Sequence, residues 1–332
     1  MLAGDLIERV TATGLLKPGR SVLVLLSGGR DSVCLLDLSV RIAGPAQVAA
    51  LHCNYGLREA ADADERHCAA LCERLGVRFH VRRPRRPAEA AGESPTAAGA
   101  GRGNLQAWAR DARYGSAIEL ALGRGGDIAA GHTASDQVET VLYRLAASPG
   151  RRALLGMTAR DGRLVRPLLG VSREETAAHC TARGLAWRED VTNKAPEFAR
   201  NRVRHELLPA LRSLHPAAEA NVLRTLGLLR DEAAVLDALV DEVLARAGDP
   251  PALTALRALP PALRRLALQR LADGAAGGRA PAIGHRAADV LALSGGGALD
   301  LGGGLRAEVR GGTLRFGASH GPAAPRSDPA RP

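Results

Sequence analysis

The stretch Val22-Leu23-Val24-Leu25-Leu26-Ser27-Gly28-Gly29-Arg30-Asp31-Ser32-Val33-Cys34-Leu35-Leu36 decides the architecture. Its first five residues form an unbroken aliphatic run that reads as a buried strand. After the two glycines, the apolar residues from Val33 continue as a helix, so the order is strand, glycine turn, helix. Glycines let the backbone come close to an anion, and the N–H groups at a helix start, with the positive end of its dipole, attract phosphate. Ser27 and Ser32 add hydroxyl donors, which makes Ser27, Gly28, Gly29, Arg30, Asp31 and Ser32 the candidate phosphate cradle. Asp31 would repel a phosphate unless a cation lies between them, so it is the candidate ligand for Mg2+. The plainer reading is that Ser27 and Asp31 merely cap the helix. The lysine of a Walker loop and its spacing are absent.

Outward from this segment, short aliphatic runs alternate with helical stretches. Strands are expected at Val22–Leu26, Val48–Cys53, Val77–Val81 and Asp127–Ala130, with helices near Asp31–Ile42, Ala60–Leu75, Asn104–Leu122 and Thr133–Ala146. The fold class is therefore α/β, a doubly wound parallel sheet. Between Arg82 and Gly103 the composition turns to Arg, Pro, Ala and Gly and reads as an exposed loop. A helical arm is expected from Pro216 to about Leu244, a second helical pattern after Pro250 and Pro251, and a helix around His285–Leu293. Short alternating segments near Ala298–Leu301, Leu305–Val309 and Thr313–Phe316 complete a small α+β unit. The expected organisation is a nucleotide-binding catalytic domain over 1–215, the arm with the small α+β domain over 216–318, and a disordered tail over 319–332.

The chain has 332 residues and no run approaching the roughly 20 apolar residues that cross a bilayer. No membrane partner is expected. The start MLAGDLIERV carries acids where a secretory signal has a basic region, so a cytoplasmic location is expected. The five cysteines show neither CxxC nor zinc-type spacing. A formal charge of +10 points to a polyanionic partner such as nucleic acid. Abundant Ala, Gly and Arg, with Lys17 and Lys194 as the only lysines, trace part of that excess to base composition.

A second constellation, Gly131-His132-Thr133-Ala134-Ser135-Asp136-Gln137-Val138-Glu139-Thr140, follows the strand expected at Asp127–Ala130, at the end of the sheet where sites gather. Helical periodicity places His132, Asp136, Glu139 and Tyr143 on one face, turned to the cleft, where two carboxylates and a histidine suit a cationic amine or magnesium and proton transfer. A capping box with Thr133 accounts for Asp136 without any function.

These segments, with LHCNYGLREAADADERHC (51–68), NLQAWARDARY (104–114), RPLLGVSREE (166–175), WREDVTN (187–193) and RNRVRHELLP (200–209), resemble in order and spacing the tRNA(Ile)-lysidine synthetase family. SGGRDS itself resembles the PP-loop of N-type ATP pyrophosphatases, which implies a Rossmann-like domain using ATP as co-substrate and cleaving it between the α and β phosphates. The resemblance implies adenylation of the wobble cytidine of an isoleucine tRNA with anticodon CAU, followed by attack of free L-lysine. It implies catalytic roles for Asp31, His132, Asp136, Glu139, Arg110 and Arg113. Lysine is handled by Asp136 and Glu139, and tRNA or ATP phosphates by Arg200, Arg202 and His205. Val203, Leu207 and Leu211 are expected to form the packing side of that last helix. Arg224, Arg230, Arg264, Arg265 and Arg270 are expected to offer phosphate contacts along the arm, and a homodimer remains an option. The chain departs from the family in Ser135, where a second aspartate is usual, in Tyr55, where histidine is commoner, and in ASPGRRALLGM (147–157). The rivals are a PP-loop tRNA sulfurtransferase, disfavoured by the absence of CxxC, and a tRNA-binding protein without catalysis.

Overall fold

A computed structural model of the chain describes residues 3–56, 61–85, 102–147, 150–188, 199–278 and 280–319. Packing divides the chain into two compact units, the first ending at Leu226 and the second starting at Gly227.

The first unit is built on β1 (Val22–Leu25), β2 (Val48–Cys53), β3 (Arg78–Arg82), β4 (Asp127–Ala129) and two short strands, β5 (Arg160–Asp161) and β6 (Leu164–Val165). They form one sheet in the order β3-β2-β1-β4-β6-β5, parallel except for the antiparallel β5–β6 pair. Val22 is in register with Val48 on one side and Asp127 on the other. Alternate residues feed two cores. Val22, Val24, Val48 and Ala50 belong to one and Leu23, Leu25, Ala49 and Leu51 to the other, the period of two expected of strands covered on both faces. The first core is closed by α1 (Ala3–Ala12), α2 (Arg30–Ala43) and α3 (Ala61–Arg74), through Leu6, Leu35 and Cys68 among others. The second is closed by α4 (Arg102–Arg124), through Ala117 and Ala121. The doubly wound sheet is thus as expected.

The chain winds from β1 outward through β2 to β3, then returns to place β4 on the other flank of β1. Loops after β1 and β4 therefore diverge at their carboxyl ends, which is where open α/β sheets bind ligands. After β4 come α5 (Ala134–Ala147) and α6 (Arg173–Ala182). A helical run over 199–214 follows, made of Ala199–Arg202, a π turn Val203–Leu207 and Leu208–Leu214. The π turn corrects the expected packing face. Its extra residue advances the register, so Leu208 is buried at 3% exposure while Leu207 is 41% exposed.

The division at Leu226 falls inside the long helix α7 (Ala218–Ala247). The second unit adds α8 (Leu253–Ala258), α9 (Pro261–Ala275), α10 (Ala287–Ala292) and an antiparallel meander of β7 (Ala298–Gly302), β8 (Leu305–Arg310) and β9 (Thr313–Ala318). Leu256, Leu268, Ile283, Val290 and Leu314 lie in its core. Two arginines expected to meet RNA have other occupations. Arg264 donates to the carbonyls of Leu259 and Arg257, and Arg270 donates to Asp241 at 2.6 Å. The loop expected over Arg82–Gly103 falls mostly on residues outside those described, as does the expected tail from residue 320.

Candidate active site

The turn after β1 is held by its own serines. The Ser27 N–H donates to Ser32 Oγ at 3.2 Å, and the Ser32 hydroxyl donates to the Gly29 carbonyl at 2.8 Å. Ser27 Oγ accepts from the Gly29 N–H at 3.3 Å. Both hydroxyls thus shape the loop. Gly28 has φ +84°, a region that side chains avoid, and a Cβ there would sit 3.2 Å from Cys68 Sγ. Gly29 precedes α2 without supplying a side-chain cap, so the first turn of the helix lacks the usual side-chain acceptor and presents its N–H groups to an anion.

The second loop lies directly against the first, since a Cβ on Gly131 would be 3.1 Å from the Asp31 carbonyl oxygen. This contact brings the acids of the two loops together, and α6 supplies the group between them. Arg173 donates to Asp136 Oδ1 at 2.8 Å, pairs with Glu139 Oε1 at 3.2 Å and lies 3.8 Å from Asp31 Oδ2. Thr176, one turn along α6, donates to Asp31 Oδ1 at 2.6 Å. Arg204, from the π turn, grips Glu139 with two bonds of 2.7 and 2.9 Å and comes within 3.8 Å of Asp136. Asp136 Oδ2 accepts from both the N–H and the hydroxyl of Thr133 at 2.8 Å, as the capping reading expected. Burial raises the pKa of Asp136, but Arg173 and Thr133 outweigh it and leave the group below the usual carboxylate range. The acidic face expected to lie open for an amine is therefore already occupied by guanidinium groups.

His132 is mostly buried, and its pKa falls to about 4, chiefly through burial, with Asp136 pulling it up and Arg166, Arg113 and Arg110 pressing it down. Its Nδ1 has no hydrogen-bond partner among the described residues, and neither has Arg113 Nε. Arg110 and Arg113 place their guanidinium carbons 5.0 and 5.4 Å from the centre of the Tyr114 ring. Tyr55 anchors α4 about two turns into the helix, donating to the Ala109 carbonyl at 2.8 Å with its ring against Trp108 at 5.7 Å. Burial pushes its phenol up to about 12.

A cleft of about 630 Å³ opens on this cluster, lined by Arg30, Ser135, Glu139, Arg173, Arg204 and His205 together with Glu174 and Arg212. Of the cations expected on the last helix, His205 lines the cleft and Arg202 is exposed, while the side chain of Arg200 is outside those described. Arg173, Thr176 and Arg204 were not singled out from sequence. Arg173 follows Ser172, the first residue of a capping box with Glu175, and so reads as the first turn of a surface helix. The signal that finds these residues is indirect: Glu139 is 3% exposed and the Asp136 side chain 21%, and acids so enclosed demand nearby cations.

Residues 5–211 match the PP-loop domain family. The tRNA(Ile)-lysidine synthase of Gloeobacter violaceus is 38% identical over 85% of this chain and 86% of its own length. That of Symbiobacterium thermophilum is 38% identical over 94% of this chain and 68% of its own. The chain spans about half of the Geobacter sulfurreducens relative, 49% of its length at 39% identity. Among solved structures, a U34-tRNA thiolase of Methanococcus maripaludis with a [4Fe-4S] cluster superposes with TM-score 0.54, covering 68% of this chain and 78% of that one. At 17% identity that likeness is one of fold. With its two loops meeting at the switch of the sheet and its likeness to these synthases running well beyond the PP-loop domain, the chain belongs to the tRNA(Ile)-lysidine synthase family.

Proposed function

We propose that the chain modifies the wobble cytidine of an isoleucine tRNA with anticodon CAU, joining L-lysine to it at the expense of ATP. The C2 oxygen of cytosine attacks the α-phosphorus of ATP and pyrophosphate leaves. The ε-amine of lysine then attacks C2, AMP leaves with the oxygen, and the amine gives up a proton. The product base pairs with adenine, which changes codon reading from AUG to AUA. The observation that carries this reading is the meeting of the PP-loop acid Asp31 with Asp136 and Glu139 around Arg173.

In this scheme the start of α2 receives the β and γ phosphates, and Arg30 and Arg173 offer countercharge. Asp136 and Glu139 receive the lysine amine, while Arg110 and Arg113 steady the adenylated base. His132, neutral at pH 7 with a pKa of about 4, accepts a hydrogen bond and takes up a proton only transiently. Arg202, His205 and Arg200 are assigned to phosphates of ATP or the anticodon loop. The donor set fits Mg2+. Asp31 offers one carboxylate beside the anion site, and no group of three ligands forms a closed cage among the described residues, which suits a cation that shares phosphate oxygens and water. When bound, magnesium supplies charge neutralisation for the departing pyrophosphate. Thiolation is disfavoured by the cysteines, since Cys34, Cys68, Cys72 and Cys180 are buried, Cys53 is half-buried, and burial pushes the thiols of Cys68 and Cys72 up to about 12.

The test is incubation with ATP, labelled lysine and a panel of tRNA transcripts. Label is expected in isoleucine tRNA bearing CAU and not in methionine tRNA. Label in no tRNA, or in methionine tRNA as readily as in isoleucine tRNA, would overturn the reading.

A further inference from the structure

Every carboxylate oxygen assigned to the lysine amine is already engaged. Asp136 Oδ2 holds two donors of Thr133, and Oδ1 holds Arg173 at 2.8 Å. Glu139 Oε1 holds Arg204 at 2.7 Å and Arg173 at 3.2 Å, and Oε2 holds Arg204 at 2.9 Å. An incoming ammonium brings three donors and a positive charge. In this arrangement it finds only the second lone pairs of Asp136 Oδ1 and Glu139 Oε2, each already held by a guanidinium, and it would sit between two cations. We infer that Arg173 keeps the amine site closed until the triphosphate of ATP draws it away, so that nucleotide binds first and nucleotide and lysine strengthen each other's binding.

The two arginines differ in how firmly they are held. Arg204 makes a two-pronged pair with Glu139, whose side chain is 5% exposed, and stays with it. Arg173 is spread over three acids, through a 2.8 Å bond to Asp136, a 3.2 Å pair with Glu139 and a 3.8 Å approach to Asp31. It is therefore the looser of the two, and it already leans toward the PP-loop. A triphosphate on the first turn of α2 brings several negative charges beside that approach, and guanidinium forks suit phosphate oxygens at least as well as carboxylates. Movement of Arg173 toward the phosphates frees Asp136 Oδ1 and leaves Glu139 Oε1 with Arg204 as its one donor, so that both oxygens that one side chain had bridged can accept from the amine. The amine site then exists only in the nucleotide-loaded enzyme. Because the coupling is between two binding equilibria, it must act equally in both directions.

This inference rests on the proposed function and is tested by titration calorimetry on the full chain. Lysine is titrated with and without magnesium and α,β-methylene-ATP, which cannot be cleaved at the bond in question. The wild type is expected to bind lysine at least about tenfold more tightly with the nucleotide analogue, and the analogue more tightly by the same factor with lysine. Arg173→Gln, shown folded by its thermal transition, is expected to bind lysine without nucleotide and to lose most of that ratio. Equal lysine affinity in both states of the wild type, while tRNA still acquires lysine, overturns the inference alone. An undiminished ratio in Arg173→Gln also overturns it. Lysine bound in neither state, with none incorporated into tRNA, removes the functional reading and this inference with it.

Discussion

Glu139 sits at 3% exposure with both carboxylate oxygens in the fork of Arg204. Removing one partner of a buried pair leaves the other without compensation, which costs more than the pair contributes. Arg204→Ala is expected to destabilise the fold by roughly 2 to 4 kcal/mol, the lower end applying because Arg173 also touches Glu139. The Glu139→Gln, Arg204→Gln double variant should lose less than the sum of the two single changes. Denaturant titrations measure all of these, and strict additivity would mean that the pair is not coupled. His132 gives a pH dependence. Its pKa falls from about 6.5 in the unfolded chain to about 4 in the fold, mainly through burial. Between those values the unfolded state binds the proton and the folded state does not, so stability falls as pH drops from 6.5 toward 4. The imidazole resonances of the folded protein should stay neutral to about pH 4, and titration near 6.5 would show that His132 is solvated.

The elements that carry these residues are joined by a second buried pair. His179 on α6 lies 2.8 Å from Asp37 on α2, each with 1% side-chain exposure, and Arg183 lies 3.6 Å from the same carboxylate. The helix that begins at the PP-loop is thereby locked to the helix that carries Arg173 and Thr176. Burial raises the pKa of Asp37, but the bond from His179 and the nearby Arg183 outweigh it and hold the pKa below its ordinary value. This contribution is present above the unfolded pKa and is lost as pH falls through the lower, folded one. Asp37→Asn is expected to cost about 3 kcal/mol at pH 7 and to flatten the acid limb of the stability curve. An unchanged acid limb would mean that Asp37 does not titrate with folding. Much of this level was legible in sequence, because Val22–Leu25 and α2 carry strong local patterns around SGGRDS. Strands β5 and β6, two residues each, are too short to show a period. The π turn at Val203–Leu207 leaves no mark in periodicity, so Leu208 replaced Leu207 in the core unannounced. Asp31, Asp136 and Glu139 were readable because the two loops are local motifs. Their partners Arg173 and Arg204 are not, because that pairing depends on α6 and the π turn folding back onto the loops that follow β1 and β4.

At the scale of the molecule, α7 serves two cores. Val222 and Leu223 pack with Val138, Val203 and Leu208 in the first unit, and Leu226 is buried there at 3% exposure. Farther along, Val240 belongs to the core of the second unit. The place where the chain is cut therefore decides what a truncation reports. A chain ending at Leu214 strips the cover from Val203 and Leu208 and should unfold at a lower temperature, whatever its substrate. A chain ending at Leu226 keeps that cover and so tests whether the second unit takes part in holding RNA. A cytidine in an anticodon loop is not distinctive by itself, so rejection of methionine tRNA has to use features remote from the reacting base. Phosphate contacts position such a substrate without reading its sequence, and Arg265, exposed on α9, is one cation in the second unit placed to make them. The 1–226 chain is accordingly expected to bind α,β-methylene-ATP within about threefold of the full chain. Its affinity for isoleucine tRNA should fall at least tenfold, and the slope of log affinity against log salt should become shallower by about one for each phosphate that is no longer neutralised. Should the 1–226 chain bind isoleucine tRNA with the same affinity and salt slope as the full chain, and reject methionine tRNA as well, the second unit takes no part in holding the RNA.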